Sequence, residues 1–119
     1  MISGVVQERA KQRLLSLATE DWYSVAEGES AVRMLLPDAG IELRQVVATA
    51  LLSLLHQGLI QIARLNLATG ETDPISEAEV GIVLEDDGNW APARTGDLRT
   101  VAFTATPLGE QWYFDTPGR

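Results

Sequence analysis

The side chains that could do chemistry are few, and their spacing argues for little of it. The sequence holds no cysteine and a single histidine, His56. Thiolate metal sites, iron–sulfur clusters, disulfides and a cysteine nucleophile are thereby excluded, as is any site needing two histidines from one chain. Gly28-Glu29-Ser30 begins like a nucleophile elbow. Its closing glycine is missing, however, and it falls inside a predicted helix rather than on a strained turn. Glu85-Asp86-Asp87-Gly88-Asn89 offers oxygen ligands but lacks the alternation and the distal glutamate of an EF-hand loop, so a turn is the plainer reading. Glu77 and Glu79 face different ways on a helix, and paired-carboxylate catalysis needs a cleft that the sequence does not reveal. His56 has no nucleophile to serve as a general base, and a place in the last turn of a helix suits the dipole. No glycine-rich phosphate loop occurs. No enzymatic activity, catalytic residue, cofactor or metal is expected.

The charge balance narrows the partners. Net charge is −8 and the isoelectric point is near 4.5. Such a surface keeps a protein soluble and does not favour polyphosphate. At 119 residues and 45% hydrophobic composition, the chain has the size and apolar content of one domain with one core. It carries no apolar run of the roughly 18 residues that a membrane span needs. Its first residues, MISGVVQERAKQR, lack the basic-then-apolar order of a signal peptide, so a cytoplasmic location is expected.

The elements that must position these residues are organised around Ile41–Leu65, a long amphipathic helix that stops at a glycine and runs into a strand. Leu43, Val46, Val47, Ala50, Leu51, Leu54 and Leu55 give this helix, over 41–57, a wide apolar stripe. Gly58 stands where a left-handed residue ends the last turn, and 59–67 alternates as a strand. Before it, Val6, Ala10, Leu14, Leu17 and Ala18 predict a helix over 4–19. Ser24-Val25-Ala26-Glu27 is a capping box opening a helix over 25–36, in which Gly28 suits a close helix crossing. Pro37-Asp38-Ala39-Gly40 makes a turn. Ser76-Glu77-Ala78-Glu79 predicts a second capping box, with Ile75 and Val80 as a hydrophobic staple, and a helix over 77–85. Val101, Phe103 and Ala105 alternate in a strand over 99–105 able to pair with 59–67. Thr106-Pro107 then opens a final short helix over 108–114.

This order resembles the winged helix-turn-helix superfamily. One carrier is Leu51-Leu52-Ser53-Leu54-Leu55-His56-Gln57-Gly58-Leu59-Ile60, similar to that superfamily's passage from third helix into first wing strand. The other is Phe103-Thr104-Ala105-Thr106-Pro107-Leu108-Gly109, similar to its "threonine, two residues, glycine" after the second wing strand. The similarity covers 4–67 and 99–114 and points to no subfamily. It implies an α+β fold: one winged helix-turn-helix-like domain over 1–119 with a two-stranded wing and a long helical insertion at about 68–99. It also implies that the third helix can lie in a DNA major groove, with the wing against phosphates.

Fold does not imply function, and the local charges disagree with DNA. Residues 41–65 carry Arg44 and Arg64 against Glu42, whereas 66–100 carry two arginines against eight acids. As a reader of bases the helix over 41–57 offers Arg44, Gln45, Thr49 and Ser53, and a merely solvated face accounts for them equally well. A wing at net −6 repels phosphates. The expectation is therefore a non-catalytic module that binds another protein, with a DNA-binding regulator as the alternative. The expected partner surface is the insertion, through Glu77, Glu79, Asp86, Asp87 and Trp90; packing of that helix on the domain is weighed evenly against it. Trp112, Tyr113 and Phe114 on the last helix are candidates for a homodimer contact, as terminal helices often serve in the superfamily, against the default of simple packing.

Overall fold

The computed structural model describes residues 4–37, 42–91 and 99–115. Along them run α1 (Gly4–Ala18), β1 (Tyr23–Ser24), α2 (Val25–Leu35), α3 (Leu43–His56), β2 (Ile60–Asn66), β3 (Thr72–Pro74), α4 (Glu77–Glu85), a 3-10 turn (Asp87–Trp90), β4 (Arg99–Ala105) and α5 (Pro107–Asp115). The fold is α+β. The turn expected at 38–40, the loop at 92–98 and the tail at 116–119 lie outside the described residues.

β2 and β4 pair antiparallel over their whole length, from Ile60 opposite Ala105 to Asn66 opposite Arg99. The expectation of a sheet with two strands needs correction, because the described strands form a four-stranded sheet in the order β1-β4-β2-β3. Tyr23 and Ser24 pair with Phe103 and Ala102 on one edge, and Thr72–Pro74 pairs with Ala63–Leu65 on the other. Both added strands are too short to show a period of two. The hairpin to β3 is closed by Asn66, whose side-chain oxygen accepts from the backbone N–H groups of Ala68 (2.9 Å) and Thr69 (3.3 Å). Gly70 completes the turn at φ 75°, a conformation open to glycine at little cost.

Two helix ends have a clear local cause. At the start of α2, Ser24 Oγ accepts from Glu27 N–H (3.0 Å) and the Glu27 carboxylate accepts from Ser24 N–H (3.0 Å), a complete capping box. At the end of α3, Gly58 adopts φ 76°. Leu59 N–H then donates to Leu54 C=O and Gly58 N–H to Leu55 C=O, both at 3.0 Å, the two bonds of a Schellman motif. The second capping box is a correction: Ser76 Oγ makes no cap bond to backbone but donates to the Glu79 carboxylate (3.2 Å). The Glu79 N–H is met by the Ser76 carbonyl instead (2.9 Å), so the cap has no orphan donor there to satisfy.

The core lies between the sheet face carrying Ile60, Ile62, Val101 and Phe103 and the buried sides of α1, α2 and α3. Two glycines set its tightest contacts. A Cβ on Gly28 would stand 2.9 Å from Leu14 Cδ2 and 3.0 Å from Phe103 Cε1, so α2 crosses α1 and the sheet closely, as Gly28 suggested. A Cβ on Gly109 would overlap the Leu59 carbonyl. That approach is held by Thr106, whose N–H donates to Leu59 C=O (3.0 Å) and whose hydroxyl donates to Gly58 C=O (2.6 Å). Thr106 Oγ1 also accepts from Gly109 N–H (3.0 Å). The spacing threonine, two residues, glycine therefore ties the start of α5 to the end of α3.

Candidate interaction surface

α4 lies antiparallel along α3 and is fastened at both ends. His56, the last residue of α3, meets Glu77, the first of α4, at 3.0 Å. Arg44, in the first turn of α3, meets Asp87, just past the end of α4, at 3.1 Å. Between these contacts Val80, Val83 and Leu84 are buried in the common core. The insertion is thus packed on the domain, the reading weighed evenly against a free partner surface.

Arg44 is the centre of the arrangement. Its Nε donates to Glu29 Oε2 (3.1 Å), its Nη1 donates to Asp87 Oδ1 (3.1 Å), and its guanidinium carbon sits 5.3 Å from the Trp90 ring centroid. Glu29, 7% exposed, is the buried charged residue among those described; Arg33, one turn on, approaches its other oxygen at 3.5 Å. A buried carboxylate is tolerated when cations and hydrogen bonds meet it. The hydrogen bond to Glu29 raises the pKa of Arg44 above its ordinary value; desolvation opposes this, and Asp87 adds to it. Two of its donors are engaged, one with the buried Glu29 and one with the exposed Asp87.

The proposed base readers are therefore divided. Arg44 is tethered, Ser53 is half-buried, and Gln45 and Thr49 are exposed on the outer ridge of α3. The proposed partner residues are divided too. Trp90 is 3% exposed, and its Nε1 donates to the Leu84 carbonyl at 2.8 Å, so it is a core residue that presents no surface. Asp86 accepts from Gly88 N–H (2.9 Å), which caps the 3-10 turn. Glu77 and Asp87 are spent on His56 and Arg44, and Glu79 on Ser76. At the C-terminus, Trp112 and Phe114 are exposed by 45% and 55%. Tyr113, turned about 100° from each neighbour by the helix, packs against the core.

Nothing in this set pairs a nucleophile with a base. Ser30 is exposed on α2, whereas His56 is engaged with Glu77. Among the described residues no group of three or more His, Asp or Glu is placed to hold a metal ion. None of the described helices is long and apolar enough to cross a membrane.

Sequence reasoning missed a groove of about 560 Å³ between α1, α2 and the far ends of β2 and β4. Arg13 and Leu17 line it from α1, Glu27, Ala31 and Met34 from α2, and Trp22, Leu65 and Leu67 complete it. Met34 is 86% exposed and Leu67 52%. The signal was present: Met34 lies off the apolar stripe of α2, and an apolar residue outside the stripe asks what it touches. A second, more polar cleft of about 310 Å³ brings Arg64 and Arg99 beside Asn89 and Val101.

No family model, no curated protein and no solved structure matches the chain.

Proposed function

We propose that the protein is a non-catalytic interaction module of winged-helix type that binds another protein rather than DNA. The order α1-β1-α2-α3-β2-β4-α5, with β3 and α4 inserted between the central strands, supports the winged-helix part. The interaction part rests on a single observation: Arg44, the cation of the helix that would read DNA, is bound on three sides by Glu29, Asp87 and Trp90. Reading a guanine would require it to give up its bond to a buried carboxylate that then keeps only Arg33 at 3.5 Å, a cost of the same order as the about 1–3 kcal/mol that a base contact returns. The insertion also lays Glu77, Glu79, Glu85, Asp86 and Asp87 beside α3, where phosphates would have to come. A cytoplasmic location belongs to the same reading.

The DNA alternative draws on Arg64 and Arg99, which share one cleft on the central strands. Asp73 lies opposite Arg64 on β3 and offsets it. Titration of a fluorescent mixed-sequence duplex at low ionic strength separates the two readings. No binding is expected even at high micromolar protein. Salt-sensitive micromolar binding, lost in Arg64→Ala and Arg99→Ala, would replace the present reading with the regulator.

A further inference from the structure

The far ends of the two central strands set a pair of arginines on one face of the sheet. Arg64 of β2 lies directly opposite Val101 of β4, and Arg99 precedes Val101 by two residues on the same strand. Side chains alternate along a strand. Arg64, Arg99 and Val101 therefore project to one side, the side on which Ile62 and Phe103 enter the core. The two arginines are diagonal neighbours across the ladder, a placement that separates residues by about 7–8 Å. Both are exposed, and they line one cleft of about 310 Å³ with Asn89 and Val101. Asn89 belongs to the 3-10 turn and is fixed there by donating from Nδ2 to the Val83 carbonyl at 2.8 Å.

Two cations this close repel each other unless an anion joins them. Asp73 stands opposite Arg64 on β3 but closes no ion pair with it, and Arg64 pairs with no other described residue. Two arginines against this one aspartate leave the cleft positive, in a chain of net charge −8. A guanidinium has five donors, and Arg44 serves two carboxylates at once in this molecule, so one partner does not exhaust such a group. The geometry also selects the anion. A carboxylate is satisfied by a single guanidinium fork, whereas a phosphoryl group has oxygens for two forks together. The cleft lies at the small end of ligand sites, which run to about 300–1,000 Å³, and suits a small molecule. We infer that the cleft between Arg64 and Arg99 binds the phosphoryl group of a small phosphomonoester, held by both guanidiniums. This goes beyond the interaction-module reading and does not depend on it.

The test follows the arginine Nε–Hε resonances of the full chain by NMR as methyl phosphate is added at constant ionic strength. The pH is held near 8, where a phosphomonoester, with its second pKa at about 6, is a dianion. The expected result is a saturable shift of Arg64 and Arg99 together, with a millimolar Kd. Arg64→Gln and Arg99→Gln, both at exposed positions, each weaken binding by about tenfold or more with an unchanged far-ultraviolet spectrum. Asp73→Asn strengthens it severalfold, because a repelling carboxylate is gone. Dimethyl phosphate, a diester with the single charge of a nucleic-acid backbone, binds at least about tenfold more weakly than the monoester. Absence of a saturable shift into the tens of millimolar overturns the inference. So does binding that either glutamine variant retains, that Asp73→Asn fails to strengthen, or that the diester matches. A chain that binds neither methyl phosphate nor duplex loses this site and keeps the interaction-module reading, so the two failures are told apart.

Discussion

Replacing Arg44 by alanine is the sharpest test of the physical account, because stability and DNA reading make opposite demands on that residue. The Arg44–Asp87 pair contributes little: Asp87 is 90% exposed as a side chain, and exposed pairs are worth about 0–1 kcal/mol. The bond to Glu29 matters more, since the Glu29 side chain is only 10% exposed. A hydrogen bond to a charged group contributes about 1.5–3 kcal/mol, reduced here because Arg33 remains within reach at 3.5 Å and because Arg44 itself is 42% exposed. The stack on Trp90 adds about 0.5–1 kcal/mol. These terms share one side chain and do not add freely, so the expected loss is about 2–3 kcal/mol. For a domain of this size that lowers Tm by roughly 8–15 °C. Urea unfolding of the wild type, Arg44→Ala, Glu29→Gln and the double variant forms a cycle. The coupling energy between the two sites should exceed about 1 kcal/mol. Additive effects, or a loss below about 0.5 kcal/mol for Arg44→Ala, would show that Arg44 does not tie α3 to the buried Glu29 of α2.

Two further outcomes follow from local geometry. Gly109→Ala should cost more than about 3 kcal/mol by urea unfolding, because its methyl meets the Leu59 backbone carbonyl rather than a yielding side chain. Gly81→Ala, in α4 with nothing within 4 Å of the added carbon, should instead stabilise by roughly 0.5–1 kcal/mol; equal effects at the two sites would refute the contact. Tyr23 donates its hydroxyl to Glu20 Oε2 (3.1 Å), and this bond, with lesser contributions from burial and neighbouring carboxylates, raises its pKa above the ordinary 10.0. The protonated phenol is the form that the folded state favours. Its contribution is therefore full below pH 10.0 and is lost as pH rises through the higher folded value. Absorbance titration at alkaline pH in a Tyr113→Phe background should show a late transition that moves earlier in Glu20→Ala; no movement would refute the pairing.

Much of the fold was legible along the chain because the signals are local. The strand over 99–105 and the helix over 77–85 coincide with β4 and α4, and the other helices and β2 differ by one or two residues. Gly58 was readable because the left-handed residue, the apolar stripe before it and the strand after it lie in one continuous run. β1 and β3 were not, since two or three residues carry no period, and they exist only because β4 and β2 offer open edges. The Ser76 box was half right: the residue types suit a cap, but whether the hydroxyl turns to a backbone N–H or a carboxylate depends on rotamers. Arg44 showed the same gap more widely. The sequence reads it as a cation on a helix face, and its partners are 15 and 43 residues away.

What the sequence determined by itself was periodic or compositional: the helices, the two central strands, the glycine stops, the acidic balance and the lack of thiol or paired imidazole chemistry. These depend on residue type and short spacing, which a chain displays before it folds. The tertiary structure alone decided which charges are spent and which remain. It buried Glu29, set Arg44 against it, took Trp90 into the core and brought Arg13 and Glu27 into the lining of one groove. Such pairings join positions far apart in sequence. Their energies depend on distance and burial, and neither quantity exists until the helices have packed.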